Sequence, residues 1–214
     1  MYLQEMRPEE LMHAVTEGWP LLVPAGCIEY HGPHLPLGTD TFIAEELCRR
    51  LAQRMPVVIA PSLAYGATGY AVSGPEQGTM DVDNEALEAY VKSVLRAFCA
   101  LGFRRIAVAI FHQGMERAAA VWAWGGGGGV GGGGGWGRGP TPPEGDALGR
   151  IRVWPCILPE AGAVAHGDHA GMYETSYILA ARPELVAMEN LARADLPWFC
   201  TRPENPSRQG NTAL

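Results

Sequence analysis

The sequence predicts an α/β fold, a three-layer sandwich in which a mostly parallel central sheet is covered by helices on both faces. Short apolar runs alternate along the chain with longer segments whose apolar residues recur at helical spacing, an order typical of parallel sheets. The run 106–111 is apolar throughout, as expected for a central strand buried on both faces. Histidines and carboxylates follow two predicted strands, where sites form in such sheets.

The first half of the chain predicts two helix–strand alternations. Pro8 and the acidic residues after it favour a first helix to about Glu17, and the apolar run 19–24 predicts a buried strand. Ile43, Leu47 and Leu51 have helical spacing and predict a helix over 41–55. A second short apolar strand is expected at 57–60.

The second half repeats the pattern after a long Gly-, Ser- and Pro-rich connection over 61–84. The apolar spacing that follows predicts an amphipathic helix over 84–101, with Asp83 or Asn84 as its N-cap. The later elements are expected to be strands at 105–111 and 151–154 and a helix at 174–181.

Length and composition predict one globular domain over residues 1–214 and exclude several classes of protein. The 214 residues are 47% hydrophobic and 18% charged, which excludes wholesale disorder. A net charge of −7 argues against nucleic acid or an anionic membrane as partner. The sequence has no apolar run near 20 residues and no recognisable signal sequence, so we expect a cytoplasmic protein. Its five cysteines are dispersed without CxxC spacing, which is typical of reduced thiols.

The densest group of ionisable residues follows the predicted strand 19–24. Glu29, His31, His34 and Asp40 lie within twelve residues, and carboxylates with imidazoles are the ligand types that bind Zn²⁺, Mn²⁺ or Fe²⁺. Glu29 and His31, two residues apart in extended chain, are expected to point to one side. The alternative, a capping and salt-bridge cluster on a surface loop, is less favoured because the group directly follows an apolar strand.

Two later segments add further candidates. His112 directly follows the strand 105–111, and by itself such a histidine is more often a packed loop residue. His169 and Glu174 flank a glycine turn before a predicted helix, so both side chains could face one pocket, or Glu174 could simply serve the helix start. Cys27 adjoins the first group, and packing is a simpler role for it than nucleophile.

Two segments closely match one known family. The run 24–40, PAGCIEYHGPHLPLGTD, closely resembles the first signature of the creatininase family of metal-dependent amidohydrolases. The run 169–176, HAGMYETS, followed by PELV at 183–186, resembles its later signature. The resemblance spans roughly residues 8 to 190 and implies a creatininase-like fold with a centre of two divalent metal ions, Zn²⁺, Mn²⁺ or Fe²⁺.

The resemblance also implies roles for individual residues. The implied metal ligands are Glu29, His31, Asp40 as the bridge between the ions, His112 and Glu174. His169 matches the proton-transfer histidine, and Glu174 is counted with it as catalytic. The positions expected to contact the substrate or to orient ligands are Tyr30, His34 and Gln113.

The implied reaction is hydrolysis of a C–N bond in a small cyclic or linear amide by a hydroxide that bridges the metals, with His169 as proton donor.

The family's middle signature, Asn-Gly-His-Gly-Gly-Asn, aligns with 110–115, where His112 is retained and both asparagines and two glycines are replaced. Creatinine itself is therefore not assumed. Ring opening of a cyclic polyol ketone, or metal binding without turnover, remains the alternative. A small-molecule substrate and a homo-oligomer, for example a hexamer, are the implied partners.

A glycine tract interrupts the helix that should begin at Met115. Twelve of the 28 glycines lie between Gly125 and Gly139, and glycine costs about 1 kcal/mol relative to alanine in a helix. The tract is either a flexible linker or a stretch that does not reflect a selected sequence, such as a shifted reading frame. The single lysine, Lys92, among 16 basic residues suggests a GC-rich gene, which fits the second explanation.

Overall fold

The computed structural model describes residues 1–112 and 169–192 together with the backbone of 151–155. The helices in these segments are α1 (Pro8–Thr16), α2 (Thr39–Ala52), α3 (Asn84–Ala100) and α4 (Met172–Ala181). The strands are β1 (Leu21–Ala25), β2 (Val58–Ile59), β3 (Ile106–Ile110) and β4 (Ile151–Pro155). Within the described residues, no helix is both long and apolar enough to cross a membrane.

The strands form one parallel sheet in the order β2-β1-β3-β4. In its central pair, Leu21 lies opposite Ile106 and Ala25 opposite Ile110, so the two strands end at the same edge. The chain segments that follow these strands therefore emerge side by side. The parallel sheet predicted from the sequence is confirmed.

Helices cover both faces of the sheet because successive strand residues point to opposite sides. Leu21 and Val23 pack with α1 and α3 in the largest apolar cluster. Leu22 packs with Cys48 of α2 on the opposite face. Helix α4 lies against α2, where Ile43 and Ile178 share a third cluster. The result is the three-layer arrangement that the sequence predicts.

The ends of the helices reflect identifiable local interactions. Pro8 begins α1, and the backbone N–H of Arg7 donates to Glu10 Oε2 at 2.7 Å. Asp83 is the N-cap of α3, because its Oδ1 accepts from the Ala86 N–H at 2.9 Å.

Two helices begin two residues earlier than predicted. Helix α2 begins at Thr39, so Asp40 lies in its first turn and not in the loop before it. Helix α4 begins at Met172 and not at Glu174. In α2 the earlier start has a physical reason, because Thr39 and Asp40 are polar residues buried at the site, and apolar spacing cannot detect them. The helix expected from Met115 and the glycine tract lie outside the described residues, and the single domain over 1–214 stays a prediction.

Candidate metal centre

The loop between β1 and α2 runs along the carboxyl edge of the sheet and is held by main-chain hydrogen bonds. The Glu29 N–H donates to the Leu37 carbonyl at 2.9 Å, and the Met80 N–H donates to the Ile28 carbonyl at 2.9 Å. Gly26 lies so close to α2 that a Cβ there would be 2.5 Å from the Thr41 nitrogen. These contacts bury the loop, and Glu29 is only 2% exposed.

Asp40 lies at the middle of the ionisable group. Its Oδ1 is 3.1 Å from His31 Nε2, and its Oδ2 is 2.9 Å from His112 Nδ1. Each oxygen of one buried carboxylate therefore faces a different histidine. This arrangement suits a carboxylate that bridges two positions.

Each of these histidines is oriented by a backbone carbonyl on its far ring nitrogen. His31 Nδ1 is 2.9 Å from the Glu29 carbonyl, and His112 Nε2 is 3.0 Å from the Ala67 carbonyl. Because a carbonyl can only accept, these nitrogens carry the protons. The nitrogens that face Asp40 are then the ones that could bind a metal ion in place of a second proton, an orientation typical of metal-binding histidines.

Glu174 reaches the same place from the first turn of α4. Its Oε2 lies 3.7 Å from His31 Nε2 and accepts the Ala170 N–H at 2.6 Å. Ala170 has a positive φ of 57°, a conformation that is costly for a non-glycine residue. The turn before α4 is therefore held in a strained conformation that directs its N–H at this carboxylate.

His169 lies beside His31. The two rings stack with centroids 4.2 Å apart, and His169 Nε2 lies 2.7 Å from the Tyr30 carbonyl. Nε2 is therefore the protonated nitrogen of a neutral His169. The structure thus places His169 and Glu174 beside the same residue, His31.

The remaining predicted residues have different positions. His34 Nε2 lies 2.9 Å from Thr175 Oγ1, so this histidine contacts the helix residue next to Glu174. Tyr30 is 6% exposed, and its described contributions are its carbonyl to His169 and its N–H, which donates to Thr79 Oγ1 at 3.0 Å. Gln113 lies outside the described residues.

The sequence did not assign Cys27 to the centre, but its sulfur lies close to the ligand atoms. Its Sγ is 3.2 Å from Asp40 Oδ2, 3.3 Å from His112 Nδ1 and 3.8 Å from Glu29 Oε2. The signal that could have found it is its spacing, because Cys27 stands two residues before Glu29 in the same loop.

The charges in the cluster strongly perturb the histidines and Asp40. Burial opposes protonation of His31, but the charges of Asp40, Glu174 and Glu29 together outweigh it and raise the pKa of His31 to about 10. Burial likewise opposes protonation of His112, but its hydrogen bond to Asp40 and the charges of Asp40 and Glu29 together raise its pKa to about 9. Burial would raise the pKa of Asp40, yet the two histidines hold it well below its usual range.

Burial has the dominant effect on three other groups. It raises the pKa of the Glu29 carboxyl and that of the Cys27 thiol, which is raised further by Asp40. The raised thiol pKa argues against Cys27 as a nucleophile in the metal-free protein, because the thiolate is the reactive form. Burial and the positive His31 lower the pKa of His169 to about 3.

The donor set fits divalent metal ions. Ligand atoms within 4.8 Å of one another form the groups Cys27–Glu29–Asp40–His112, Glu29–His31–His169 and His31–Asp40–Glu174. Among the described residues, the ion pairs of Glu29 and Asp40 are with histidines. Carboxylates and imidazoles that face one another in this way are the ligands that Zn²⁺, Mn²⁺ and Fe²⁺ accept. The sheet and this cluster define a metal-binding α/β protein.

Comparisons with known proteins identify the family of this chain. The family model Creatininase, described as creatinine amidohydrolase, matches residues 4–129. Creatinine amidohydrolase of Pseudomonas putida is 26% identical over 202 residues, which are 88% of this chain and 75% of that protein. Mycofactocin precursor peptide peptidase of Mycobacterium ulcerans is 34% identical over 190 residues, 81% of this chain. The chain belongs to the creatininase family, and these relatives are hydrolases.

The fold comparison gives the same result. A crystal structure of creatinine amidohydrolase (creatininase) superposes with a TM-score of 0.61 at 22% identity, over 88% of this chain and 75% of that one. The peptidase of Mycolicibacterium smegmatis is 32% identical over 177 residues, but the chain spans only 61% of its length. The chain thus covers between about three fifths and three quarters of these relatives.

Proposed function

We propose that this protein is a metal-dependent hydrolase that cleaves a C–N bond in a small amide. The observation that carries the proposal is the position of Asp40, whose two oxygens face two different histidines inside a buried group of carboxylates. The names of the relatives support it, since creatinine amidohydrolase and the peptidases both act on C–N bonds.

The proposed centre holds two divalent ions that share Asp40. Glu29 and His112 complete one position, and His31 and Glu174 complete the other. The His112 Nδ1 to Glu29 Oε2 distance of 3.5 Å and the His31 Nε2 to Glu174 Oε2 distance of 3.7 Å support this division. Creatininase has been solved in forms described as Zn-Zn type and Mn, so Zn²⁺ and Mn²⁺ are the first ions to test, followed by Fe²⁺.

When bound, such ions make water a nucleophile at neutral pH and polarise the substrate carbonyl. The protein supplies orientation and proton transfer. His169 is neutral and donates Nε2–H to the Tyr30 carbonyl, which leaves Nδ1 as the ring atom that can accept a proton and pass it to the leaving nitrogen. His34 holds Thr175 and so positions the first turn of α4, which carries Glu174.

The substrate class remains a proposal at the level of small polar amides. The relatives act, by their names, on creatinine and on a precursor peptide, so a cyclic amide and a short peptide represent the two alternatives. The third named relative, 3-dehydro-scyllo-inosose hydrolase of Thermotoga maritima, is 30% identical over 105 residues, 49% of this chain. A cyclic polyol ketone therefore belongs in the same panel. A homo-oligomer, with a hexamer as one form, is also proposed and can be measured by light scattering.

The test is hydrolysis by protein reconstituted with Zn²⁺, Mn²⁺ or Fe²⁺, assayed against these three substrate types. We expect turnover in at least one, with a loss of about 10²–10⁴-fold in the His169→Ala variant at unchanged metal content. A matched control is His13→Ala, which changes an α1 histidine that contacts Trp19. Metal-loaded protein that hydrolyses none of the substrates would favour a metal-binding role without turnover.

A further inference from the structure

Cys27 differs from the cysteine that simply packs in the core. Cys48 lies in an apolar cluster with Leu22 and Ile59, a surrounding typical of a buried cysteine. Cys27 is also fully buried, but it lies in none of the apolar clusters of the described residues. Its sulfur contacts an imidazole nitrogen and two carboxylate oxygens. Packing alone gives no reason for a thiol to be placed among metal ligands.

The distances around the sulfur fit coordination of a single ion. Zinc bonds of about 2.0–2.3 Å at tetrahedral angles place ligand atoms about 3.3–3.6 Å apart. Cys27 Sγ lies 3.3 Å from His112 Nδ1, 3.2 Å from Asp40 Oδ2 and 3.8 Å from Glu29 Oε2. One ligand atom from each of these four residues lies within 4.8 Å of those of the other three. Small side-chain movements bring all four to one ion.

We propose that the Cys27 sulfur joins His112 and the two carboxylates as a ligand of one ion and makes this position favour Zn²⁺ over Mn²⁺. On binding, the S–H bond breaks, the proton goes to solvent water, and the sulfur electron pair forms the bond to the metal. No oxidant or reductant is required. This inference rests on the proposed metal centre but not on turnover.

The two metal positions should therefore differ in chemistry. A thiolate is a soft ligand that selects Zn²⁺, whereas carboxylates also suit Mn²⁺. The position made by His31, Asp40 and Glu174 has no sulfur among its described ligands. With limiting Zn²⁺ and excess Mn²⁺, zinc should occupy the Cys27 position first. The protein would then hold two different ions in defined places.

The experiment is replacement of the bound metal by Co²⁺, whose near-ultraviolet spectrum reports a thiolate ligand through a sulfur-to-cobalt charge-transfer band. We expect the band in the wild type and in the control Cys48→Ser, and its loss in Cys27→Ser with cobalt still bound. Cys27→Ser should also lower the affinity for Zn²⁺ at least about tenfold while changing that for Mn²⁺ little.

Several outcomes would overturn the inference. Cobalt bound to the wild type without the band shows that no thiolate is a ligand, and a band that persists in Cys27→Ser assigns it to another cysteine. If Cys27→Ser does not fold, a chain that keeps only Cys27, with the other four cysteines changed to serine, must still show the band. Absence of any bound ion overturns the metal centre as well, whereas loss of turnover alone leaves the Cys27 assignment intact.

Discussion

The Asp40→Asn substitution tests the middle of the cluster, because it preserves shape and removes one charge. Asp40 is 2% exposed and pairs with His112 at 2.9 Å and with His31 at 3.1 Å. An asparagine keeps one oxygen and presents an NH₂ group to the other histidine. Breaking a buried ion pair costs about 3–5 kcal/mol, so the metal-free variant should be destabilised by about this amount.

The measurement is urea unfolding of metal-free protein, followed by circular dichroism. With a denaturant slope of about 2 kcal/mol/M, the midpoint should fall by about 2 M. The matched control is Asp83→Asn at the N-cap of α3, where asparagine caps equally well and the midpoint should not change. An unchanged midpoint in Asp40→Asn would refute the role assigned to this carboxylate.

The pH dependence has a defined sign. The pKa of His31 is raised to about 10 and that of His112 to about 9, whereas in the unfolded chain a histidine has a pKa near 6.5. The stability that these two histidines contribute is therefore complete below about pH 6.5 and is lost as the pH rises through 9–10. Asp40, with a lowered pKa, contributes above about pH 4 and loses that contribution as pH falls further. The difference between wild type and Asp40→Asn should therefore be largest near pH 5–6 and shrink toward pH 10. A difference that grows as pH rises from 6 to 10 would contradict this account.

Three further substitutions test the supports of the centre. Thr175→Val removes the hydroxyl that bonds His34, and it should lower the free energy of unfolding by about 1–3 kcal/mol in urea titrations; no change would show that the bond is dispensable. Gly26→Ala places a Cβ 2.5 Å from the Thr41 nitrogen, so overpacking should cost about 1–3 kcal/mol and lower Tm in calorimetry. Unchanged Tm would mean that the loop shifts freely. Ala170→Gly relieves a positive φ and should raise Tm slightly; a lower Tm would argue against strain there.

Much of the fold could be predicted because its strands are strongly apolar. The continuous run at 106–111 predicted β3, a central strand, and the run after Trp19 predicted β1. The start of α2 could not be predicted from apolar spacing, because its first turn is made of Thr39 and Asp40, polar residues buried at the site.

The site was predictable where side-chain type carries the chemistry. Glu29 and His31 stand out in the sequence because two ionisable residues follow an apolar strand. The backbone anchors could not be predicted, since the Ala67 carbonyl that orients His112 is identical in kind to every other carbonyl. The place of Cys27 was missed for a related reason: a cysteine after a strand is more often a packing residue, and only the folded loop brings its sulfur to Asp40.

The central claim is that Asp40 and four side chains around it hold two divalent ions, and elemental analysis tests it most directly. Purified protein, stripped of metal, reconstituted with Zn²⁺ or Mn²⁺ and freed of excess ion, should contain close to two ions per chain. The Asp40→Asn variant should contain at most one, because it loses the shared ligand. Wild-type protein that retains no ion, or a variant that retains as many as the wild type, would contradict the claim.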